Sequence, residues 1–127
     1  MEPKFRSELE CKEGEEGIWC LVLPLIYDSG ILDKTITVPE GFCTDFASVP
    51  RVPFVFEAFG DRAHRESVIH DFLYQTAMVE RSVADRVFLE AMKVRGKKPW
   101  IRWCMFLGVR LGGWKAWNDH REKEKQR

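Results

Sequence analysis

The chain has 127 residues, of which 45% are apolar and 31% charged, enough for one buried core and inconsistent with a disordered or fibrous chain. Its twenty Lys and Arg balance twenty Asp and Glu, which excludes a protein whose main task is to coat nucleic acid. Cys11, Cys20, Cys43 and Cys104 lack the spacing of a zinc site; at this size no covalent staple is needed, so reduced thiols are expected.

Met1 to Glu8 offer no apolar h-region, so a signal peptide is not expected and the chain is read as cytoplasmic. From Lys4 to Val38 the pattern favours strands. Phe5 to Cys11 partly alternates, Ile18 to Leu23 is a β-rich run stopped by Pro24, and Lys34 to Val38 makes a third strand before the Pro39-Glu40-Gly41 turn. Residues 12–17 read as a hairpin connection. Phe42 to Pro53 has neither period and carries two prolines, which predicts an ordered loop.

Helical character follows Gly60. Asp61 caps a predicted helix to about Met78, with Ile69, Phe72, Leu73 and Ala77 as apolar contacts. Ser82 to Asp85 suggests a capping box for a second helix that ends at Arg95 before Gly96, with Val87, Phe88, Ala91 and Met92 inward. Pro99 opens a third helix to about Trp117. The architecture predicted is α+β, a small N-terminal antiparallel sheet followed by three packed helices, with one domain over residues 1–117 and a charged, solvated tail over 118–127. The apolar run from Trp103 to Trp114 is broken by Arg110 and too short to span a bilayer, so no transmembrane segment is expected.

The sharpest polar constellation is His70-Asp71-Phe72-Leu73-Tyr74, joined by Asp85. Residues four apart share a helix face, so His70 and Tyr74 point together while Asp71 turns away. If the first two helices pack antiparallel, Asp85 reaches the His70 imidazole and orients it as a general base, leaving Asp71 for a cation or an Arg. Thr44, Asp45, Ser48 and Arg51 in the irregular loop add polar groups for a substrate. The structural alternative is a buried hydrogen-bonded pair, a capping Asp85 and a turn closed by Asp45. His64 and His70 lie on nearly opposite helix faces, which argues against a shared metal.

These motifs carry two resemblances. Gly41 to Arg51, His70 to Tyr74, Ala84 to Met92 and Val109 to Trp114 resemble, in order and over about two-thirds of the chain, a family of small phage and prophage proteins of unknown function. This implies a phage or prophage origin, a place in the bacterial host cytoplasm or the virion, and other virion proteins as partners. The run His70-Asp71-Phe72-x-Tyr74 with Asp85-x-x-Phe88-x-x-x-Met92 is also similar to the active-site helices of prokaryotic secretory phospholipases of the A-two class. That similarity implies His70 as the base, Asp85 as its orienting carboxylate, and Asp71 as a ligand of a divalent cation such as calcium; Asp45 of the loop is expected to join Asp71 in binding a cation or a polar substrate group. The disulfide pattern and the glycine-rich calcium loop of those enzymes are missing.

Two functions follow as expectations. One is a hydrolase-like site in which His70, Asp85 and Tyr74 are catalytic. The other is a non-enzymatic virion or tail-assembly component that docks a neighbour through the third helix, where Trp100, Trp103, Trp114 and Trp117 surround a Gly108-x-x-x-Gly112 spacing.

Overall fold

The computed structural model describes residues 1–45 and 65–126. Six strands, β1 (Lys4–Phe5), β2 (Cys11–Glu13), β3 (Trp19–Leu21), β4 (Leu25–Ser29), β5 (Lys34–Val38) and β6 (Cys43–Thr44), precede four described helices, α1 (Arg65–Thr76), α2 (Arg81–Val94), α3 (Pro99–Gly112) and α4 (Trp114–Lys125). The α+β class holds, with the strands first and the helices after them.

The strands form two antiparallel three-stranded sheets, β1-β4-β5 and β2-β3-β6. β5 alternates as a half-buried strand should, with Ile36 and Val38 inward and Lys34, Thr35 and Thr37 outward. Its partner β4, which the sequence reading passed over after Pro24, is nearly all buried because both its faces are covered. The predicted strand from Phe5 to Cys11 divides instead into β1 and β2, which serve different sheets.

In β3 and β6, Cys20 and Cys43 stand directly opposite each other, and they form a disulfide. The expectation of four reduced thiols is corrected here: the register, and not a need for staples, brings the two sulfurs together, while Cys11 and Cys104 form no disulfide. Of the irregular loop expected from Phe42, Cys43 and Thr44 are strand instead. The remainder of that loop from residue 46, including Ser48 and Arg51, and the predicted helix start at Asp61 and His64 lie outside the described residues.

Glu90 of α2 ties the β1-β4-β5 sheet to the helices. Its Oε1 accepts from Tyr27 Oη at 2.7 Å and Ser29 Oγ at 2.9 Å, and its Oε2 from the Ile31 backbone N–H at 2.9 Å. Burial, and next the Glu90 hydrogen bond, push the Tyr27 phenol far above its ordinary value. A main core joins Leu25, Tyr27, Ile36 and Val38 of the sheet to Ile69, Leu73 and Val87 of the helices. A second packs Phe88 and Met92 of α2 against Ile101, Met105 and Val109 of α3.

Helix α2 begins at Arg81 and not behind Ser82; Glu80 precedes it without a side-chain cap, so the capping box does not form. Gly96 adopts φ +77°, the left-handed stop expected of it. The third predicted helix is divided at Gly113, and the residues expected as a solvated tail continue as α4. Arg121 explains this: its Nη2 donates to the carbonyls of Tyr74 and Gln75, both at 2.9 Å, closing the end of α1, and its guanidinium stacks 4.6 Å from the Trp117 ring centroid. Among the described residues no helix is long and apolar enough to cross a membrane.

Candidate functional site

The turn from α1 to α2 passes through Ala77 at φ +51° and sends α2 back along α1. His70 and Tyr74, one turn apart on α1, therefore face Asp85 in the first turns of α2. The imidazole Nε2 lies 2.7 Å from Asp85 Oδ1, and the Tyr74 hydroxyl donates to the same oxygen at 2.6 Å. The other oxygen, Oδ2, accepts from Arg110 Nη1 of α3 at 2.8 Å. Since a carboxylate only accepts, Nε2 carries the proton toward it.

Arg81 extends the cluster. Its Nε donates to the Tyr74 hydroxyl at 3.2 Å, and its Nη2 donates to the carbonyls of Val109 and Arg110 at 2.7 and 2.6 Å, closing the C-terminal end of α3. Gly113 sits against the same point. A Cβ there would meet Val109 O at 2.5 Å and Tyr74 Oη at 2.6 Å, so only glycine lets the backbone approach. Gly113 thus makes a close backbone approach one residue beyond the expected Gly108-x-x-x-Gly112 pair.

The electrostatics agree with the geometry. Burial alone would raise Asp85, but the hydrogen bond and charge of His70, followed by Tyr74 and Arg110, outweigh it and hold the carboxyl below its ordinary range. Tyr74 moves far upward, through burial first and the Asp85 hydrogen bond second. His70, Tyr74 and Asp85 are each 0% exposed, and the imidazole ring packs 4.2 Å from Tyr74 and 4.7 Å from Phe88, centroid to centroid. Each Asp85 oxygen is thus engaged, and the three residues assigned catalytic roles from the sequence lie together but inside the packing.

Asp71 points elsewhere, as the helix geometry requires. Its Oδ2 accepts from the Thr44 hydroxyl of β6 and from Gln75 Nε2, the latter at 2.9 Å. Oδ1 is buried with no hydrogen-bond partner. Beside this cluster opens a polar pocket of about 300 Å³ lined by Thr44, Asp45, Gln75, His120, Lys123 and Glu124; His70 is not among its lining residues. Burial lowers the His120 pKa, opposed by Asp71 and Asp45 and reinforced by Lys123 and Arg121.

The calcium implied by the phospholipase similarity can be tested against these donors. Calcium takes six to eight oxygen ligands. Among the described residues no group of three or more His, Cys, Asp or Glu could hold a metal, and Asp71 already spends one oxygen on Thr44 and Gln75. The described residues do not fit such an ion.

The sequence reading missed Arg81, Arg110, His120 and Arg121. Arg110 had a signal, a lone charge inside an apolar helical run, which in a packed helix calls for a buried acid. Arg121 and His120 had none, because a segment rich in Lys and Glu looks the same whether it is solvated or docked.

No curated protein and no solved structure matches the chain. The described family match extends from residue 19 to residue 109, taking in strands β3 to β6, the buried His70–Asp85 cluster and most of α3. By that match the chain belongs to the family described as "Protein of unknown function (DUF1353)".

Proposed function

We propose that this chain is a non-catalytic docking protein of phage or prophage origin. It presents the outer face of α3 to an external surface, and its His70–Asp85 cluster holds that helix in place. One observation carries the reading: α3 is apolar on two opposite faces. Ile101, Met105 and Val109 are buried in the core, while Trp100, Trp103, Leu107, Leu111 and the adjoining Trp114 are between 51% and 78% exposed. A helix that is apolar all round is normally enclosed, and a contiguous exposed apolar patch of this kind marks an interaction site.

The polar cluster serves this face. Arg110 of α3 reaches Asp85 and Arg81 of α2 reaches the end carbonyls of α3, so α3 is positioned by the carboxylate it shares with α1 and α2. With each oxygen of Asp85 engaged and His70 fully buried, the arrangement has the character of a lock. The test compares wild type with His70→Ala on a panel of activated carboxylic and phosphate esters, together with urea unfolding. The variant is expected to lose stability, with no His70-dependent turnover in either protein.

The shared acceptor favours a second reading. An imidazole 2.7 Å from a carboxylate that also takes a tyrosine hydroxyl is oriented as a general base requires. In that reading Asp85 and Tyr74 fix the ring, and Asp71, Asp45 and Thr44 hold a polar substrate group, together with Ser48 and Arg51. It requires an opening that exposes His70. Ester hydrolysis that disappears in His70→Ala would install it in place of the lock.

A further inference from the structure

We propose that the surface on which α3 docks is an anionic lipid bilayer; the inference rests on the docking reading and names its partner. Between residues 91 and 118 the chain carries seven Lys or Arg and no Asp or Glu, although the whole chain is neutral. Some of these cations have acidic neighbours, since Arg110 meets Asp85, Arg95 lies 3.5 Å from Glu66, Lys97 also interacts with Glu66, and Lys115 lies 3.2 Å from Asp119. The others include Lys93, Lys98 and Arg102 at the end of α3 that carries Trp100 and Trp103.

Trp103 links the apolar row to this charge. It lines a groove of about 730 Å³ with Ile31, Leu89 and Val94, and Arg86, Lys93 and Arg102 line the same groove. Two carboxylates also face it: Glu2, and Glu90, whose oxygens are taken by Tyr27, Ser29 and the Ile31 amide. An apolar opening bordered by cations suits a lipid, whose acyl chain and anionic headgroup are joined in that order.

The shape of the row selects the same partner. From Trp100 to Leu111 it runs about 17 Å along the helix at ~1.5 Å per residue. Its large side chains stand out from the surface, Leu111 at 78% exposure, which suits insertion between headgroups better than a fitted groove in a protein. Tryptophan favours the membrane–water boundary, and helices with an apolar row and basic flanks lie in that plane. A second copy of this chain would bring one acid-free cationic segment against another, which repulsion opposes.

The full chain is tested by co-sedimentation and by the blue shift of tryptophan emission with vesicles of phosphatidylglycerol in phosphatidylcholine, and with phosphatidylcholine alone. Binding to the anionic vesicles, weakened by salt and nearly absent with the neutral ones, is expected. Trp103→Ser with Leu111→Ser is expected to weaken it about tenfold or more, and Lys93→Gln with Lys98→Gln roughly fivefold per charge, with unchanged circular dichroism. No partition, or equal partition into both vesicle types, overturns the lipid assignment. Sedimentation equilibrium then separates the two failures. Self-association that Trp103→Ser abolishes would leave docking standing with another occupant, whereas a monomer in both proteins would remove the docking reading as well.

Discussion

Asp85→Ala is the substitution on which the lock interpretation can be measured. The wild-type carboxylate, 0% exposed, accepts from His70 Nε2, Tyr74 Oη and Arg110 Nη1 at 2.7, 2.6 and 2.8 Å. Truncation leaves an imidazole and a phenol without their acceptor inside the core, at about 1–3 kcal/mol for each orphaned group. The Arg110 side chain is 35% exposed, so water can take over part of its contact and its share is smaller. The expected loss is about 3–5 kcal/mol, the range for breaking a buried charged pair. In a chain of this length that lowers Tm by roughly 12–20 °C. Urea unfolding followed by circular dichroism gives the free energy, and calorimetry gives Tm. A loss below about 1 kcal/mol would refute the claim that this carboxylate holds the helices together.

Three further outcomes follow from the same structure. Because Asp85 is held below its ordinary range when folded, its stabilisation is present above the unfolded pKa of about 4 and disappears as pH falls through the lower folded value; the stability gap between wild type and Asp85→Asn should therefore close below about pH 4 and stay constant from pH 5 to 7, as acid titrations of the urea midpoint would show. Reducing the Cys20–Cys43 disulfide, which closes a separation of 23 residues, should cost about 3 kcal/mol, visible as a lower Tm in dithiothreitol that Cys20→Ser with Cys43→Ser reproduces and dithiothreitol no longer changes. Gly113→Ala forces a methyl group against Val109 O and Tyr74 Oη and should destabilise by about 1–3 kcal/mol, whereas Gly14→Ala, with nothing within 4 Å of its Cβ, should leave the urea midpoint nearly unchanged.

Local rules carried the sequence reading where the cause is local. β5 matches its predicted bounds because Ile36 and Val38 alternate with polar neighbours, and Val87, Phe88, Ala91 and Met92 are buried because helical spacing puts them on one stripe. The meeting of His70, Tyr74 and Asp85 was legible for the same reason: four-residue spacing and a short antiparallel connection leave few alternatives. β4 was hidden because a strand buried on both faces shows no alternation. The disulfide was hidden because pairing depends on strand register, which cysteine counting does not reveal. The helical fate of residues 118–125 depended on where the end of α1 would lie, a distance set by the tertiary fold.

The order in which the chain is made bears on that arrangement. During synthesis α1 and α2 leave the ribosome together, with Asp85 already able to meet His70 and Tyr74, while Arg110, which supplies the positive partner of that carboxylate, comes later. The exposed carbonyls at the end of α1 wait longer still, for Arg121. A nascent chain arrested before these arginines would hold an incompletely neutralised interior and leave the end of α1 uncapped, and should be attacked by proteases more readily than the chain that includes them.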